Sequence, residues 1–227
     1  MLLPMQGTLY IVATPIGNLE DITLRAVRTL KEVAAIACED TRVTRNLLKH
    51  FDIHVPTVAL HEHSGTSALD RLMGQLKEGK DIAYVSDAGT PGVNDPGGKL
   101  VQLAFEHRLA VVPIPGASAL SAAISVCGFA MDDFTYLGFV PHKKGRETFF
   151  KEVAARETPS VFFESTHRME KTMDALAMHL DPKRRIFIGR ELTKMHETLY
   201  RGTVDEVRAA LQATSWKGEF VVIIGRA

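Results

Sequence analysis

Residues 86–98, with the sequence SDAGTPGVNDPGG, are the part of the chain best suited to binding a small molecule. They follow a short apolar segment and precede a helical pattern, and they make a connector of about a dozen residues where two to six are usual. Four glycines and two prolines predict a fixed path with exposed backbone amides. No Gly-Lys-Ser/Thr follows the glycines and no Gly-x-Gly-x-x-Gly occurs, so a nucleoside triphosphate is not indicated. The alternative is a glycine-rich connector that only turns a corner.

Five further polar or glycine-rich clusters stand at the ends of predicted strands. They are residues 14–18, 39–42, 115–118, 164–168 and 190–194. In an open parallel sheet, ligands bind just beyond the carboxyl ends of the strands. We therefore expect these clusters to contribute to one binding region, although each of them alone could be an ordinary solvated turn.

Metal and nucleophilic chemistry have little support. His61 and His63 flank Glu62 at a spacing that places both rings on one face of a strand. No third ligand is evident, so the pattern does not predict a zinc site. No Gly-x-Ser-x-Gly element is present either, and a Ser–His–Asp hydrolase is not indicated.

Charge and composition narrow the partners and the compartment. The 227 residues include 27 basic and 27 acidic ones, so a nucleic-acid role would need a local basic patch. Cys38 and Cys127 lie in apolar stretches and predict buried thiols of a reducing compartment. No apolar run is long enough for a membrane span and the start lacks a signal-peptide pattern, so we expect a soluble, cytoplasmic protein.

Basic residues concentrate in the second half of the chain. A single basic residue is usually no more than a solvent-exposed side chain. Together with Arg42 and Arg45, however, these residues could line one phosphate-binding face. The set in the second half is Lys143, Lys144, Arg146, Arg168, Arg185, Arg190 and Lys194.

The first half of the chain alternates predicted strands with predicted helices. Strands are expected over residues 8–13, 34–38, 57–60, 81–85 and 109–113, and helices over 21–33, 44–50, 67–78 and 99–107. This alternation predicts an α/β domain with a mostly parallel, doubly wound sheet. Residues 115–118 open the next helix, and we place the domain boundary between residues 115 and 116.

The second half has more strands per helix. Strands are expected over residues 135–140, 161–163, 186–189, 197–201 and 220–224, and helices over 147–156 and 169–180. The capping box at residues 203–206 begins a last helix that runs to residue 213. We therefore predict a second α/β domain with a mixed sheet over residues 116–227.

Six motifs in a fixed order resemble one enzyme family. They are ATPIGNL at 13–19, EDTR at 39–42, SDAGTP at 86–91, DPG at 95–97, ESTHR at 164–168 and ELTK at 191–194. In this order they resemble the small-subunit ribosomal RNA (cytidine-2′-O)-methyltransferases of the tetrapyrrole methylase superfamily. The resemblance extends from about residue 7 to residue 225. Members of that family often continue beyond the last strand as a small helical segment, whereas this chain ends at Ala227.

The resemblance implies two α/β domains that hold S-adenosylmethionine in the cleft between them, usually in a homodimer. It implies methyl transfer to the ribose 2′-hydroxyl of a cytidine in the decoding region of 16S rRNA, within the small ribosomal subunit, and no metal. Asp87 and the Gly89–Thr90 backbone would hold the methionine portion. The remaining predicted cofactor contacts are Pro15, Ser118, Ala119, Phe163 and Leu192.

The same resemblance directs attention to a general base and to phosphate contacts. A ribose hydroxyl is a poor nucleophile, so a base should help; Glu39, Asp40, His61 and Glu191 stand at strand ends and are the candidates. Arg42, Arg45, Arg168 and Lys194 are expected to contact RNA. Two alternatives stay open: a tetrapyrrole C- or N-methyltransferase of the same superfamily, whose polycarboxylate substrates also suit a basic cleft, and a non-catalytic RNA-binding factor.

Overall fold

Two compact units make up the chain, Met1–Ser118 (unit 1) and Ala119–Ala227 (unit 2). They are seen in a computed structural model that describes residues 6–60, 66–93 and 97–227, with only the backbone of Thr66. The sequence places the boundary at residue 115, and the division in the structure falls at residue 118.

Unit 1 is built on a five-stranded sheet in which every pair of neighbours is parallel. The strand order is β3-β2-β4-β1-β5, which confirms the predicted parallel, doubly wound sheet. The elements in chain order are β1 (Thr8–Val12), α1 (Leu24–Glu32), β2 (Ala35–Cys38), α2 (Thr41–His50), β3 (Thr57–Ala59), α3 (Thr66–Lys77), β4 (Ile82–Val85), α4 (Gly97–Glu106) and β5 (Ala110–Ile114).

The helices of unit 1 cover both faces of this sheet. Leu30 of α1 and Leu48 of α2 belong to one core cluster, and Leu72 of α3 and Leu100 of α4 belong to another. Every residue of β2 and β4 is buried. Burial on both faces explains why these strands are continuous apolar runs rather than alternating ones.

Helix α2 begins three residues before the predicted position. The sequence predicts a start at Thr44, but the helix starts at Thr41. Asp40 is the N-cap residue, and its side chain accepts a hydrogen bond from the Arg42 amide. The cluster at residues 39–42 is therefore a strand end joined directly to a helix N-terminus.

Unit 2 contains a second five-stranded sheet, in the order β6-β7-β10-β8-β9. β6 and β7 are parallel and the other neighbours are antiparallel, which confirms the predicted mixed sheet. The elements are α5 (Ala119–Cys127), β6 (Thr135–Phe139), α6 (Arg146–Ala155), β7 (Ser160–Ser165), α7 (Met169–His179), β8 (Ile186–Arg190), β9 (Thr198–Gly202), α8 (Val204–Ala213) and β10 (Glu219–Ile224).

The helices α6, α7 and α8 bury one face of the unit 2 sheet. Phe150, Met173 and Leu211, one from each helix, belong to the same core cluster as the strand residues Phe162 and Val222. The predicted capping box is confirmed at the start of α8. Its reciprocal side-chain bonds satisfy backbone donors that the first turn of a helix leaves free.

Both cysteines are buried free thiols, as the sequence predicts. Burial raises the pKa of the Cys38 thiol above its ordinary value, so this group is a poor nucleophile at neutral pH. Among the helices that the structure describes, none has the length and apolar character needed to cross a membrane.

Candidate functional site

The loop that follows β4 is joined to the segment that follows β1. Thr14 and Gly89 form an isolated antiparallel bridge in which each backbone amide donates to the other residue's carbonyl, at 2.9 and 3.0 Å. The buried hydroxyl of Thr14 donates to the Ser86 carbonyl at 3.1 Å, and the hydroxyl of Ser86 donates to the Gly89 carbonyl at 3.0 Å. Two strand ends are therefore fixed to each other by backbone and side-chain bonds.

Gly89 occupies a position that no other residue fits easily. Its φ is +84°, and a Cβ atom would lie 3.2 Å from Cγ2 of Ile16 and 3.7 Å from the Ala117 carbonyl oxygen. The next residue, Thr90, donates its hydroxyl to that same Ala117 carbonyl at 3.0 Å. The loop thus also reaches residues 115–118, which follow β5.

Asp87 adds the fourth cluster of unit 1. Its Oδ1 accepts a hydrogen bond from the Asp40 amide at 2.9 Å, and its side chain is only half-buried. The structure therefore brings together the segments that follow β1, β2, β4 and β5, at the carboxyl edge of the sheet, where ligands bind in open α/β folds. Residues 94–96, the rest of the predicted loop, lie outside the described residues.

Small residues let these segments approach closely. A Cβ atom on Gly116 would lie 3.0 Å from the Cβ of Ala13. Pro15 and Ser118, two of the predicted cofactor contacts, are half-buried members of the same segments. The predicted contact Ala119 is the first residue of α5 and is also half-buried.

Asp40 is held as a carboxylate by its neighbour. The Arg42 guanidinium donates to both carboxylate oxygens, at 2.6 Å from Nη2 to Oδ2 and 3.0 Å from Nε to Oδ1. These bonds, with the Arg42 amide, hold the pKa of Asp40 far below its ordinary value. A carboxylate with so low a pKa is a weak general base near neutral pH.

The other predicted residues near this edge differ in their exposure. The Arg42 side chain is 86% exposed despite its ion pair, and Arg45 is exposed on the same helix. Glu39 is half-buried. The candidate base His61, like the pair it forms with His63, lies outside the described residues, and no group of three or more metal-ligating side chains occurs within the part of the chain that is described.

Arg168 belongs to a buried ionic network in unit 2. Glu164, at the end of β7, is completely buried and accepts from Arg168 at 2.8 Å, from Arg146 at 3.3 Å and from the Thr172 hydroxyl at 2.7 Å. Arg168 also donates to the Val140 carbonyl at 2.7 Å, and only 15% of its side chain is exposed. These contacts engage the guanidinium of Arg168 within unit 2, and its contact with RNA stays a prediction.

The sequence did not lead us to predict that Glu164 is the acceptor at the centre of this network. The signal was present, since a lone acid ends the apolar strand β7 four residues before Arg168. Its second arginine, however, is Arg146, 18 residues away, and no pattern in the sequence connects the two.

The turn after β8 is strained and tightly braced. Glu191 and Thr193 both have positive φ, +51° and +65°, which is uncommon for residues other than glycine. The Glu191 carboxylate accepts from Lys194 Nζ at 3.1 Å and from the Glu219 amide at 2.8 Å. Strain of this kind persists only where surrounding contacts hold it, and it concentrates at functional sites.

Leu192, a predicted cofactor contact, is placed by this turn. Its side chain is buried against Gly189, where a Cβ atom would lie 2.9 Å from Leu192 Cδ2. Phe163 of β7 is half-buried between the rings of Tyr136 and Phe139, whose centroids lie 5.4 Å away. Phe163 keeps part of its apolar surface exposed, whereas Leu192 is buried.

The Glu191–Lys194 ion pair predicts an acid-dependent stability. Burial opposes ionisation of Glu191, but the Glu219 amide and the Lys194 ammonium outweigh it and lower the pKa from its ordinary value of 4.5. The pair therefore stabilises unit 2 above pH 4.5, and this contribution is lost as the pH falls. In Lys194→Met, we expect urea unfolding midpoints to fall less steeply than in the wild type between neutral pH and pH 3.

The exposed Lys171→Met on α7 is the matched control and should keep the steep acid dependence. Parallel curves for the wild type and Lys194→Met would contradict the assigned role of the ion pair.

The comparisons with known proteins agree over almost the whole chain. The family model of the tetrapyrrole (corrin/porphyrin) methylases matches residues 8–208. The chain is 46% identical to the "Ribosomal RNA small subunit methyltransferase I" of Halalkalibacterium halodurans, over 96% of this chain and 76% of that protein. It is 44% identical to the protein of the same name from Synechocystis sp., over 97% of this chain and 80% of that protein.

Solved structures share the fold at low sequence identity. A cobalt precorrin-4 methyltransferase of cobalamin biosynthesis has a TM-score of 0.72 at 15% identity, over 96% of this chain and 94% of that one. A uroporphyrin-III-C-methyltransferase from Thermus thermophilus has a TM-score of 0.66 at 16% identity, over 97% and 94%. With the family match and the 44–46% identity to curated relatives, these findings show that the chain belongs to the tetrapyrrole (corrin/porphyrin) methylase family.

Proposed function

We propose that the chain is an S-adenosylmethionine-dependent methyltransferase that acts on ribosomal RNA of the small subunit. The observation that carries this proposal is the similarity, at 44% identity or more over nearly the whole chain, to proteins named ribosomal RNA small subunit methyltransferase I. The finer proposal, which rests on the sequence motifs, is that the methyl group goes to the ribose 2′-oxygen of a cytidine in the decoding region of 16S rRNA.

The residues at the carboxyl edge of unit 1 fit the proposed cofactor. S-adenosylmethionine supplies a methyl group on a positively charged sulfur and carries an ammonium and a carboxylate on its methionine portion. The half-buried Asp87 carboxylate is suited to the ammonium, since charge-assisted hydrogen bonds are the strong ones. A side chain at Gly89 would crowd Ile16 and disturb the loop that carries Asp87, so the glycine keeps the loop in the shape that presents this carboxylate.

The backbone amide and carbonyl of Gly89 already form hydrogen bonds within the protein, so we do not expect them to bind the cofactor. Its amide donates to Thr14, and its carbonyl accepts from Thr14 and from Ser86. We therefore assign the cofactor's carboxylate to other backbone donors of the loop, with Thr90 as the predicted one. Pro15, Ser118 and Ala119 stay as predicted pocket residues, and Phe163 and Leu192 of unit 2 stay as predicted contacts of the adenosyl portion.

The choice of general base narrows to two residues. Removal of the hydroxyl proton favours a base whose pKa lies near the working pH. The pKa values of Asp40 and Glu191 are both lowered, which makes these carboxylates weaker bases. We propose Glu39 or His61 as the base.

Alignment of the reacting groups supplies much of the rate enhancement, about 7–11 kcal/mol in favourable cases.

Methylation of defined RNA tests the proposal. The chain is mixed with S-adenosylmethionine that carries a labelled methyl group and with small ribosomal subunits from a strain that lacks this modification, and the label is then mapped. Label on one cytidine ribose is the expected result. Cofactor binding without label in RNA, but with transfer to a tetrapyrrole precursor, would instead indicate a tetrapyrrole methyltransferase. RNA binding without transfer to either substrate would indicate a non-catalytic factor.

We also propose that the chain acts as a homodimer in the cytoplasm, where the small ribosomal subunit is its partner. Sedimentation equilibrium on the purified protein tests the first part. A mass close to twice that of the 25.0 kDa chain is expected, and a mass near 25 kDa would contradict it.

A further inference from the structure

The two helices on one face of the unit 1 sheet carry a strong excess of positive charge. Together α1 and α2 contain six lysine and arginine residues and a single acidic one, Glu32. All six basic side chains lie on exposed residues. The six, which we call the α1–α2 basic face, are Arg25, Arg28, Lys31, Arg42, Arg45 and Lys49.

This excess is a local feature of a neutral protein. The whole chain has 27 basic and 27 acidic residues. On the opposite face of the same sheet, α3 and α4 carry three basic residues (Arg71, Lys77 and Lys99) and two acidic ones (Asp70 and Glu106). A solvated helix surface usually mixes the two signs, so the segregation on α1 and α2 favours a polyanionic partner.

Ion pairing within the protein does not account for these charges. In the described part of the chain, Arg42 is the one member of the face that forms an ion pair, with Asp40. Arg25 lies in the first turn of α1, which holds no acidic residue. A cation at a helix N-terminus opposes the helix dipole and costs stability, so the fold gains nothing from a charge at this position.

The arrangement of the helices places these charges on the same side of the sheet. α1 and α2 pack on one face of the sheet through a shared core cluster. Their first turns, with Arg25 and Arg42, follow the carboxyl ends of β1 and β2, on the edge where the Asp87 loop lies. Lys31 and Lys49 are in the last turns, so the face extends from the candidate site along the whole length of both helices.

A pocket gives the far end of this surface a concave shape. It has a volume of about 460 Å³ and is lined by Arg45, Leu48 and Lys49 together with residues 52–57. One of its walls carries His54, whose ring nitrogen lies 2.8 Å from the Asp52 carboxylate. Its two cations suit a backbone phosphate, although the exposed Asp52 carboxylate lies in the same lining.

We propose that the α1–α2 basic face binds the backbone phosphates of the RNA on either side of the methylated nucleotide. The inference rests on the proposed function, because it takes the substrate to be RNA. Contacts of this kind position a nucleic acid without reading its bases. They bring the RNA strand to the edge of the sheet at which the Asp87 loop lies.

The salt dependence of RNA binding tests the proposal. The triple variant Arg25→Gln, Arg28→Gln and Lys31→Gln removes three cations that the cofactor proposal does not use. Each phosphate contact contributes about −0.7 to −0.9 to the slope of log K against log salt. We expect the triple variant to flatten that slope by about 2 to 3 for a small-subunit RNA fragment. KM for the RNA should rise, while the affinity for S-adenosylmethionine stays at the wild-type value.

The matched control removes two cations from α3 and one from the connector between α3 and β4, in Arg71→Gln, Lys77→Gln and Lys80→Gln. All three residues are exposed and the change in net charge is the same. If both triple variants flattened the slope equally, the effect would be one of net charge alone, and the proposal would be wrong. An unchanged slope in the triple variant of α1 (the α1 variant) would also overturn it. Thermal unfolding confirms that both variants fold.

The proposal and the function on which it rests fail in different ways. If the wild type methylates no RNA, the proposed function is wrong. If the wild type methylates RNA and the α1 variant binds it with the wild-type slope, only the role of the basic face is wrong.

Discussion

Replacing Asp87 with asparagine is expected to weaken S-adenosylmethionine binding by about 10- to 100-fold, because a hydrogen bond to a charged group contributes about 1.5–3 kcal/mol. Asparagine keeps the Oδ1 acceptor that the Asp40 amide uses, so the loop should retain its shape. The variant therefore removes the negative charge and little else. Isothermal titration calorimetry with the wild type and Asp87→Asn measures the difference directly.

The matched control is Asp70→Asn, which removes an exposed carboxylate from α3. It should bind the cofactor as the wild type does. Equal affinities for Asp87→Asn and the wild type would remove Asp87 from the binding site and leave it as a brace of the loop.

Replacing Glu164 with alanine should cause the largest loss of stability, about 3–5 kcal/mol, because removal of one partner of a buried ion pair leaves uncompensated charge. The Glu164 side chain has no exposed surface, and the side chains of Arg146 and Arg168 are 18% and 15% exposed. Without the carboxylate these guanidinium groups lose their main acceptor. Urea unfolding of the wild type and the variant, monitored by circular dichroism, gives the change in free energy.

Two further variants separate the loss of the buried charge from the loss of side-chain volume and from the removal of any carboxylate. Glu170→Ala removes an exposed carboxylate from the first turn of α7 and should cost less than about 1 kcal/mol. Glu164→Gln keeps the size of the side chain and should fall between the two, since it still offers one oxygen to the arginines. A Glu164→Ala variant no less stable than Glu170→Ala would contradict the assigned role of the network.

Burial patterns made most of the fold predictable. β2 and β4 are buried along their whole length, so each reads as a short apolar run. The ends of helices were harder to predict where a polar side chain caps the helix by accepting a hydrogen bond from a backbone amide. The sequence suggests Asp40 as a candidate general base. In the structure its side chain caps α2, and this is why the helix begins at Thr41.

The candidate site was predictable as a set of segments but not as a set of contacts. Clusters at strand ends can be found from the chain alone, because parallel strands place their carboxyl ends on one edge. The bond from the Asp40 amide to Asp87 joins residues 47 apart, and the bond from Thr14 to Ser86 joins residues 72 apart. Pairings over such distances depend on the sheet order, which no local pattern contains.

The position of β1 in the sheet determines when unit 1 can fold during synthesis. β1 is made first, but it lies between β4 and β5 and pairs with residues 82–85 and 110–114. At about 5–20 residues per second, a ribosome needs roughly 5–20 seconds to make the intervening chain. During that time the backbone N–H and C=O groups along both edges of β1 have no partner strand. We expect the nascent chain to depend on chaperones over this interval, and the sheet to close only after β5 has left the ribosome.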